Sequence, residues 1–375
     1  MNKNKICQLT SVHPRYDVRI FKKVCHSLST AGYNVYLLVA DGKKNETIDS
    51  INIIDVGNYN NRIKRFVFTS QLLYKKALEL NCDIYHFHDP ELLPIAIKLK
   101  KRGKKVIFDS HEYLPAQIMS KSYIPKLFRS TISYMVKAYY NLFINRLDTI
   151  ITVTPHIVEE FKKITDKVSL ITNYPLINKK IERTQLNTYI SKKNTVIYAG
   201  TIYRISQQDV ILKAIENINN INYLLIGNIN INYKIELSKY PSWQKVSYIP
   251  YVQKTKLDQF INTSTIGLVI YDYTPNWGNK IGSLGVNKIF EYMLAGLPVI
   301  CTDFILWQEI IDKYKCGICI NPNSVEEISD AIKYLMNNKE DAYQMGQNGR
   351  TAVLKEFNWS TQEKKLLEIY KQLLK

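Results

Sequence analysis

Lys288 and Glu291 stand three residues apart, and at that spacing a helix presents both on one face. They follow a loop holding Gly282 and Gly285, and the run closes on Gly296-Leu297-Pro298 before an apolar stretch, Val299 to Cys301. Read locally, this is a glycine-bearing loop, a short helix, a tight stop and a buried strand. Glycines without a Cβ let the backbone approach a ligand closely. A helix starting near Val286 would point its free N–H groups and positive dipole end into that loop, a place for an anion such as a diphosphate. There a lysine suits phosphate charge, and a carboxylate suits the two hydroxyls of a ribose. An isolated pair of this kind is ordinarily a surface ion pair; the glycines, the helix stop and the strand are what argue for a ligand.

A second set of candidates lies nearer the start. Asp109-Ser110-His111-Glu112 directly follows the apolar run Lys105–Phe108, which puts His111 at the C-terminal end of a strand. Tyr85-His86-Phe87-His88-Asp89-Pro90-Glu91 places two histidines on one strand face. That spacing suits a metal-dependent hydrolase, but such a centre needs further ligands on later strands, and only His111 and His156 remain among the histidines downstream. No metal is therefore expected, and His88 and Asp89 are read as lining a site. Cys316-Gly-Ile-Cys319 has a zinc-like spacing without a second pair, so both sulfurs are expected to pack in or beside a strand.

The segment Asn287-Lys288-Ile-Phe-Glu291-Tyr-Met-Leu-Ala-Gly296-Leu-Pro298 resembles the donor-binding signature of GT-B glycosyltransferases, close to their family 4. The resemblance extends over nearly the whole chain. It implies that Glu291 binds the ribose of a sugar nucleotide and that Lys288 sits near its diphosphate, with Asn287 and Gly285 beside them. It further implies a His111 that contacts the donor sugar near the reacting carbon, and transfer with retention and without a metal or other cofactor. His13, Asp17 and Arg19 resemble the His-Pro-x-x-Asp-x-Arg opening of this branch and are placed, with His88 and Asp89, on the acceptor side. Three positions depart from the family. The arginine usually found after the glycine of the second domain's first strand is Thr201 and the lysine a few residues later is Gln207, leaving Arg204 as the nearby cation that could substitute; the first glutamate of the Glu-x7-Glu pattern is Ser283.

These residues need elements to hold them. Short apolar runs alternate with helical stretches: Lys5–Thr10, a helix from about Val18 to Ala31, Val35–Val39, Ile51–Val56, a helix through Phe68–Leu80, then Asp83–His88, Lys105–Asp109 and Asp148–Val153. Such alternation predicts an α/β fold with a parallel sheet covered on both faces. No Gly-x-Gly-x-x-Gly follows the first strand, which argues against a nicotinamide enzyme. A polar Asn/Lys-rich stretch, 174–194, reads as a linker, and a second alternating series begins at Thr195. The expected domains are 1–173 and 195–357, each doubly wound. By resemblance they face each other across a cleft as in GT-B proteins, with the last helix, in 358–375, crossing back to the first.

Composition sets the partners. The 375 residues are 46% hydrophobic, with net charge +18. Residues 1–170 carry 27 Lys and Arg against 15 Asp and Glu, leaving only +6 for the remainder. A basic first half favours an anionic surface, and Asn61–Phe68 and Lys121–Arg129 interleave cations with aromatics as a membrane-facing surface would. No nucleic-acid module is recognisable. No apolar run reaches the roughly 18 residues a spanning helix needs, and Met1–Thr10 lacks the apolar core of a signal peptide. The expectation is a cytoplasmic protein, peripheral on the inner face of the inner membrane. It would transfer sugar from a nucleotide sugar, a UDP-sugar in the first place, to a lipid-linked or polysaccharide acceptor in surface polysaccharide synthesis. Two alternatives use the same residues: a non-hydrolysing nucleotide-sugar epimerase, and a non-catalytic glycosyltransferase-like subunit.

Overall fold

Residues 3–57, 68–121, 123–177 and 184–375 are described by a computed structural model. They form two compact units, one of Met1–Asn173 with Trp359–Lys375, the other of Tyr174–Asn358. Of the two basic-aromatic runs, Asn61–Val67 lies outside the described residues.

The first unit is built on strands β1 (Lys5–Leu9), β2 (Asn34–Val39), β3 (Glu46–Ile48), β4 (Ile51–Asp55), β5 (Ile84–Phe87), β6 (Lys105–Ser110), β7 (Thr149–Thr152) and β8 (Val168–Leu170). Their order is β3-β4-β2-β1-β5-β6-β7-β8, every pair parallel except β3 with β4. The strands are apolar on both faces because helices cover both. Cys7, Tyr85 and Phe108 pack to one side with Leu73, Leu93 and Phe161. Their neighbours Ile6, Ile84 and Ile107 pack to the other with Ile20, Val24, Trp359 and Leu366. The final helix, Trp359–Leu374, thus belongs to the first unit, as the resemblance implied. Strand order reverses between β1 and β5, where an open sheet of this kind holds its ligands, beyond the C-terminal ends of the strands. Thr10–Ser11, His88–Asp89 and His111 all leave the sheet there.

The expected helix from Val18 to Ala31 is a π-helix over Val18–Cys25 that becomes α-helical over His26–Thr30. Asp17 causes this start: its carboxylate accepts from the N–H groups of Arg19 and Ile20, and its carbonyl accepts from Lys22 as well as Phe21. The wider turn brings Arg19 and Lys23 inward, both buried. Beyond the sequence reading, the helix Pro155–Lys162 and the edge strands β3 and β8 are added.

The second unit carries β9 (Thr195–Ala199), β10 (Asn222–Ile226), β11 (Val246–Ile249), β12 (Ile266–Val269), β13 (Val299–Thr302) and β14 (Gly317–Ile320), all parallel, in the order β11-β10-β9-β12-β13-β14. This is the order of a dinucleotide-binding sheet, and its reversal falls between β9 and β12. Within the stretch read as a linker, the helix Leu186–Ile190 packs onto this unit through buried Tyr189, whose hydroxyl donates to the carbonyl of Thr265 at 2.7 Å. Cys316 and Cys319 do border or enter a strand, and Cys319 pairs in register with Cys301, their sulfurs 3.8 Å apart.

Beyond β9 and β10 the backbones nearly touch. Gly227, at φ +141°, would place an added Cβ 1.9 Å from the carbonyl oxygen of Gly200. Gly227→Ala is therefore expected to destabilise the second unit by about 2 kcal/mol or more, since neither backbone can yield without moving a strand. Denaturant unfolding measures this; a variant as stable as the parent would mean the approach is looser than described.

Candidate active site

The helix Asn287–Leu294 begins at Val286 without a side-chain cap, so its first N–H groups face the preceding loop. The loop is shaped from within. Ser283 accepts from the N–H of Gly285 through its hydroxyl, at 3.1 Å, and from the indole N–H of Trp307 through its carbonyl, at 2.9 Å. Gly282, at φ +87°, lies against Phe304, where a Cβ would meet its side chain at 2.5 Å. Asn287 is half-buried and its Oδ1 has no hydrogen-bond partner. Ser283, the departure from the family pattern, thus closes the loop instead of extending an acid into it.

Lys288 reaches across to the end of β9. An added Cβ on Gly200 would lie 2.6 Å from its Nζ, so a larger residue there would push the ammonium aside. The ammonium donates to the hydroxyl of Tyr271, just past β12, and stands 4.0 Å from the ring centre of Tyr198. Glu291, one turn on, accepts from Lys254 at 2.9 Å, and Lys254 also pairs with Asp258 at 3.1 Å. Burial works against the Lys254 ammonium, but the two carboxylates outweigh it and raise its pKa. Arg204 is turned elsewhere: mostly exposed, it pairs with Glu236 at 2.6 Å and lies over the ring of Tyr233. Its charge is already answered by a carboxylate. Lys288, Glu291, Gly285, Asn287 and Ser283 are thus brought together on one loop and helix, while Arg204 is committed to Glu236. Tyr198, Tyr271 and Lys254 join the group without any warning from sequence spacing; the place of Tyr271 beyond a strand at the sheet's reversal is the one signal that could have found it.

In the first unit the candidates converge on Asp109, wholly buried at the end of β6. Arg19 grips both its oxygens, Nε to Oδ2 at 2.8 Å and Nη2 to Oδ1 at 2.9 Å. Burial would raise the carboxyl's pKa, but Arg19, followed by His111, overcomes it, and the pKa falls well below the ordinary carboxylate value. Three imidazole nitrogens face the same Oδ2 at longer range: His111 Nε2 at 3.6 Å, His88 Nδ1 at 3.7 Å and His86 Nε2 at 3.8 Å. On their far sides the two buried histidines are tied into a relay: His88 Nε2 to Gln8 Oε1 at 2.9 Å, Gln8 Nε2 donating to the Tyr370 hydroxyl at 2.8 Å, and that hydroxyl to His86 Nδ1 at 2.6 Å. Burial lowers the pKa of His86 to about 4 and that of His88 well below its usual value, so both are neutral.

His86, His88 and Asp109 stand close enough to share an ion, with ligand atoms within 4.8 Å of one another. One feature opposes this. The guanidinium of Arg19 already holds both oxygens of Asp109, and a cation would be forced against it.

His111 and His13 are the partly exposed members, their ring centres 5.1 Å apart. His13 lies between Asp17, at 3.8 Å, and Asp89, at 3.5 Å. Asp89 is itself held by the Thr10 hydroxyl and the Ser11 N–H. Arg19, His88 and Asp89 are buried, so they shape the site from behind while His13, Asp17 and His111 reach its surface. Burial disfavours the His13 cation, yet the carboxylates of Asp17 and Asp89 prevail and raise its pKa above 6.5. The stabilisation this gives is complete below the unfolded value of about 6.5 and disappears as pH rises through the higher folded value. An NMR titration is expected to place the His13 midpoint above 6.5; a midpoint at or below it would show that the two carboxylates do not hold the ring.

Comparison with known proteins follows the same division. Residues 18–174 match the family described as Glycosyltransferase Family 4, and residues 179–352 match Glycosyl transferases group 1. A GDP-mannose-dependent alpha-(1-6)-phosphatidylinositol monomannoside mannosyltransferase of Mycobacterium tuberculosis is 30% identical over 91 residues, which is 24% of this chain and 23% of that protein. The matched stretch thus spans about a quarter of that relative. Among solved structures, sucrose-phosphate synthase from Thermosynechococcus elongatus superposes with a TM-score of 0.78 at 17% identity, covering 99% of each chain. Anabaena HepE in complex with UDP-glucose superposes with a TM-score of 0.71 at 14% identity, covering 98% of this chain and 99% of that one. At such identities the superpositions speak to the fold, which they share with GT-B proteins. With both units matched in sequence and the sheet orders described above, the chain belongs to the group 1, family 4 glycosyltransferases.

Proposed function

We propose that this glycosyltransferase takes its sugar from a nucleoside diphosphate donor, a UDP-sugar in the first instance, and passes it to a hydroxyl of a lipid-linked acceptor, with retention and without a metal. The observation that carries the donor reading is the meeting of Lys288, the open start of the helix Asn287–Leu294 and Gly200 at the reversal of the second sheet, with Glu291 one turn on. The helix start and the ammonium offset the charge of the departing diphosphate; Glu291 accepts from the ribose hydroxyls. The HepE complex with UDP-glucose supports a UDP-sugar, and the named donor of the mannosyltransferase keeps GDP-mannose as the competitor. We assign His111 to the reacting centre, and His13, Asp17, Arg19, His88 and Asp89 to the acceptor side.

A lipid-linked acceptor is supported by that relative's phosphatidylinositol-based substrate and by one surface of the first unit. The helix Lys126–Phe143 leaves Leu127, Phe128, Tyr134, Met135 and Leu142 exposed, with Leu127 at 83%, and carries exposed Lys126 and Lys137 among them. An apolar face flanked by lysines suits an anionic bilayer surface. No helix among the described residues is long and apolar enough to cross a membrane.

The donor is tested by thermal shift with a panel of UDP- and GDP-sugars, since a bound donor raises the melting temperature by mass action. A panel that moved nothing would remove the donor assignment. Incubation with a UDP-sugar alone separates transfer from epimerisation, because an epimerised nucleotide sugar would favour the latter. Flotation with phosphatidylglycerol vesicles tests the surface: Leu127→Ser with Phe128→Ser is expected to reduce binding several-fold, and unchanged flotation would exclude this helix.

A further inference from the structure

The ammonium of Lys288 is held in an unusual way. Its partners are two tyrosines, one from each side of the sheet's reversal. Tyr198 lies on β9 and Tyr271 just past β12. The Nζ stands 4.0 Å from the ring centre of Tyr198 and 5.0 Å from that of Tyr271, and donates to the Tyr271 hydroxyl. With the Lys288 proton accepted, Tyr271 donates onward to the Tyr198 hydroxyl at 3.2 Å, and Tyr198 donates to the carbonyl of Thr201 at 3.0 Å. The line of donors therefore runs from the helix to the residue directly after Gly200, where the family commonly has an arginine.

We propose that Tyr271, backed by Tyr198, is the positioning residue that holds Lys288 for the donor's diphosphate, an inference that rests on the assignment of Lys288 to that group.

The chemistry of the contact supports this. A lysine ammonium is a compact charge on a flexible four-carbon stem. A carboxylate partner would fix it but also neutralise it, as Glu236 does for Arg204. Ring faces and a phenol oxygen attract the cation while bringing no opposing unit charge, so the ammonium is aimed and still available to a phosphate. Burial, reinforced by Tyr198, keeps the Tyr271 phenol protonated far above neutral pH, which preserves the donation to Tyr198. Tyr271 is itself fixed: its ring stacks edge-on to Trp277 at 4.8 Å, and its backbone N–H and carbonyl both bond the Thr302 hydroxyl. In a site where Thr201 replaces an arginine, the two tyrosines make one well-aimed cation serve where relatives commonly use more.

The experiment is isothermal titration of the full chain with UDP and GDP, and with uridine and guanosine as phosphate-free probes. Tyr271→Phe keeps the ring and removes one oxygen. It is expected to weaken the diphosphate about tenfold, the loss of a charge-assisted contact, and to leave the nucleoside unchanged. Lys288→Ala is expected to do the same or more. If Lys288→Ala weakens the diphosphate and Tyr271→Phe does not, the positioning role is wrong and the lysine assignment stands. If Lys288→Ala leaves diphosphate binding intact, or the parent chain binds neither nucleotide, the donor reading fails and the inference falls with it. Should Tyr271→Phe melt early, Tyr198→Phe asks the same question, since it frees the Tyr271 hydroxyl; a diphosphate affinity equal to the parent's would overturn the proposal. A purely structural role would weaken nucleoside and diphosphate alike.

Discussion

Asp109→Ala is expected to lower the stability of the first unit by roughly 3–5 kcal/mol, the usual cost of stranding one partner of a buried ion pair. The residue left behind is Arg19, 3% exposed, with its Nη1 already lacking a hydrogen-bond partner. Arg19→Ala should cost a similar amount by stranding the carboxylate beside the neutral His86 and His88. The double variant should cost much less than the sum of the two, because each single change creates the penalty that the second removes. The pair also fixes a pH dependence. Since the folded pKa of Asp109 is depressed, its contribution is fully present above the unfolded value of about 3.9 and is lost as pH falls from there through the folded value. Urea unfolding of the parent and the three variants between pH 7 and pH 3 measures both effects. Additive losses, or an Asp109→Ala variant with the acid sensitivity of the parent, would show that Asp109 is not the hub of the cluster.

The second large effect concerns binding, not folding. Glu291→Ala is expected to weaken the nucleoside diphosphate by about 10- to 100-fold, from the loss of hydrogen bonds between a carboxylate and the ribose. The melting temperature without ligand should stay close to the parent's, because Glu291 is partly exposed and its pairing with Lys254 is shared with Asp258. Replacing UDP by 2′-deoxy-UDP should reproduce part of the loss in the parent and add little in the variant. Calorimetry decides the matter. Equal discrimination against the deoxynucleotide in parent and variant would mean that Glu291 does not read the ribose.

What could be read from the sequence was what the chain writes locally. Lys288 and Glu291 share a helix face through three-residue spacing, and the glycines before them lie within the same loop. Both sheets declared themselves because parallel strands buried on two faces are apolar runs separated by helices. Contacts made across the fold left no such mark. Arg19 meets Asp109 across 90 residues, and Tyr370 meets His86 across 284. Each is an ordinary residue in its own segment, and only the order of the strands brings them together. Arg204 is the converse case: it stands close in sequence to Gly200, and in the fold it pairs with Glu236 on the surface. The π-helix was hidden for a simpler reason. Phe21, Val24, Cys25 and Leu28 fit the spacing of an ordinary helix, and the extra residue per turn is set by the carbonyl of Asp17, not by the apolar pattern.

That wide turn imposes a length rule on the opening of the chain. A π-helical stretch holds one residue more than an α-helix of the same span, so excising one would close it to an α-helix and turn side chains within it, Lys23 among them, to a different face. Lys23 would then lose the backbone and side-chain oxygens of Asn173, which its ammonium reaches at 3.1 and 2.6 Å, at the point where the first unit's main segment ends. A one-residue deletion between Val18 and Cys25 should therefore be far more harmful than a conservative substitution at any exposed position there, and this opening should tolerate changes of residue type more readily than changes of count.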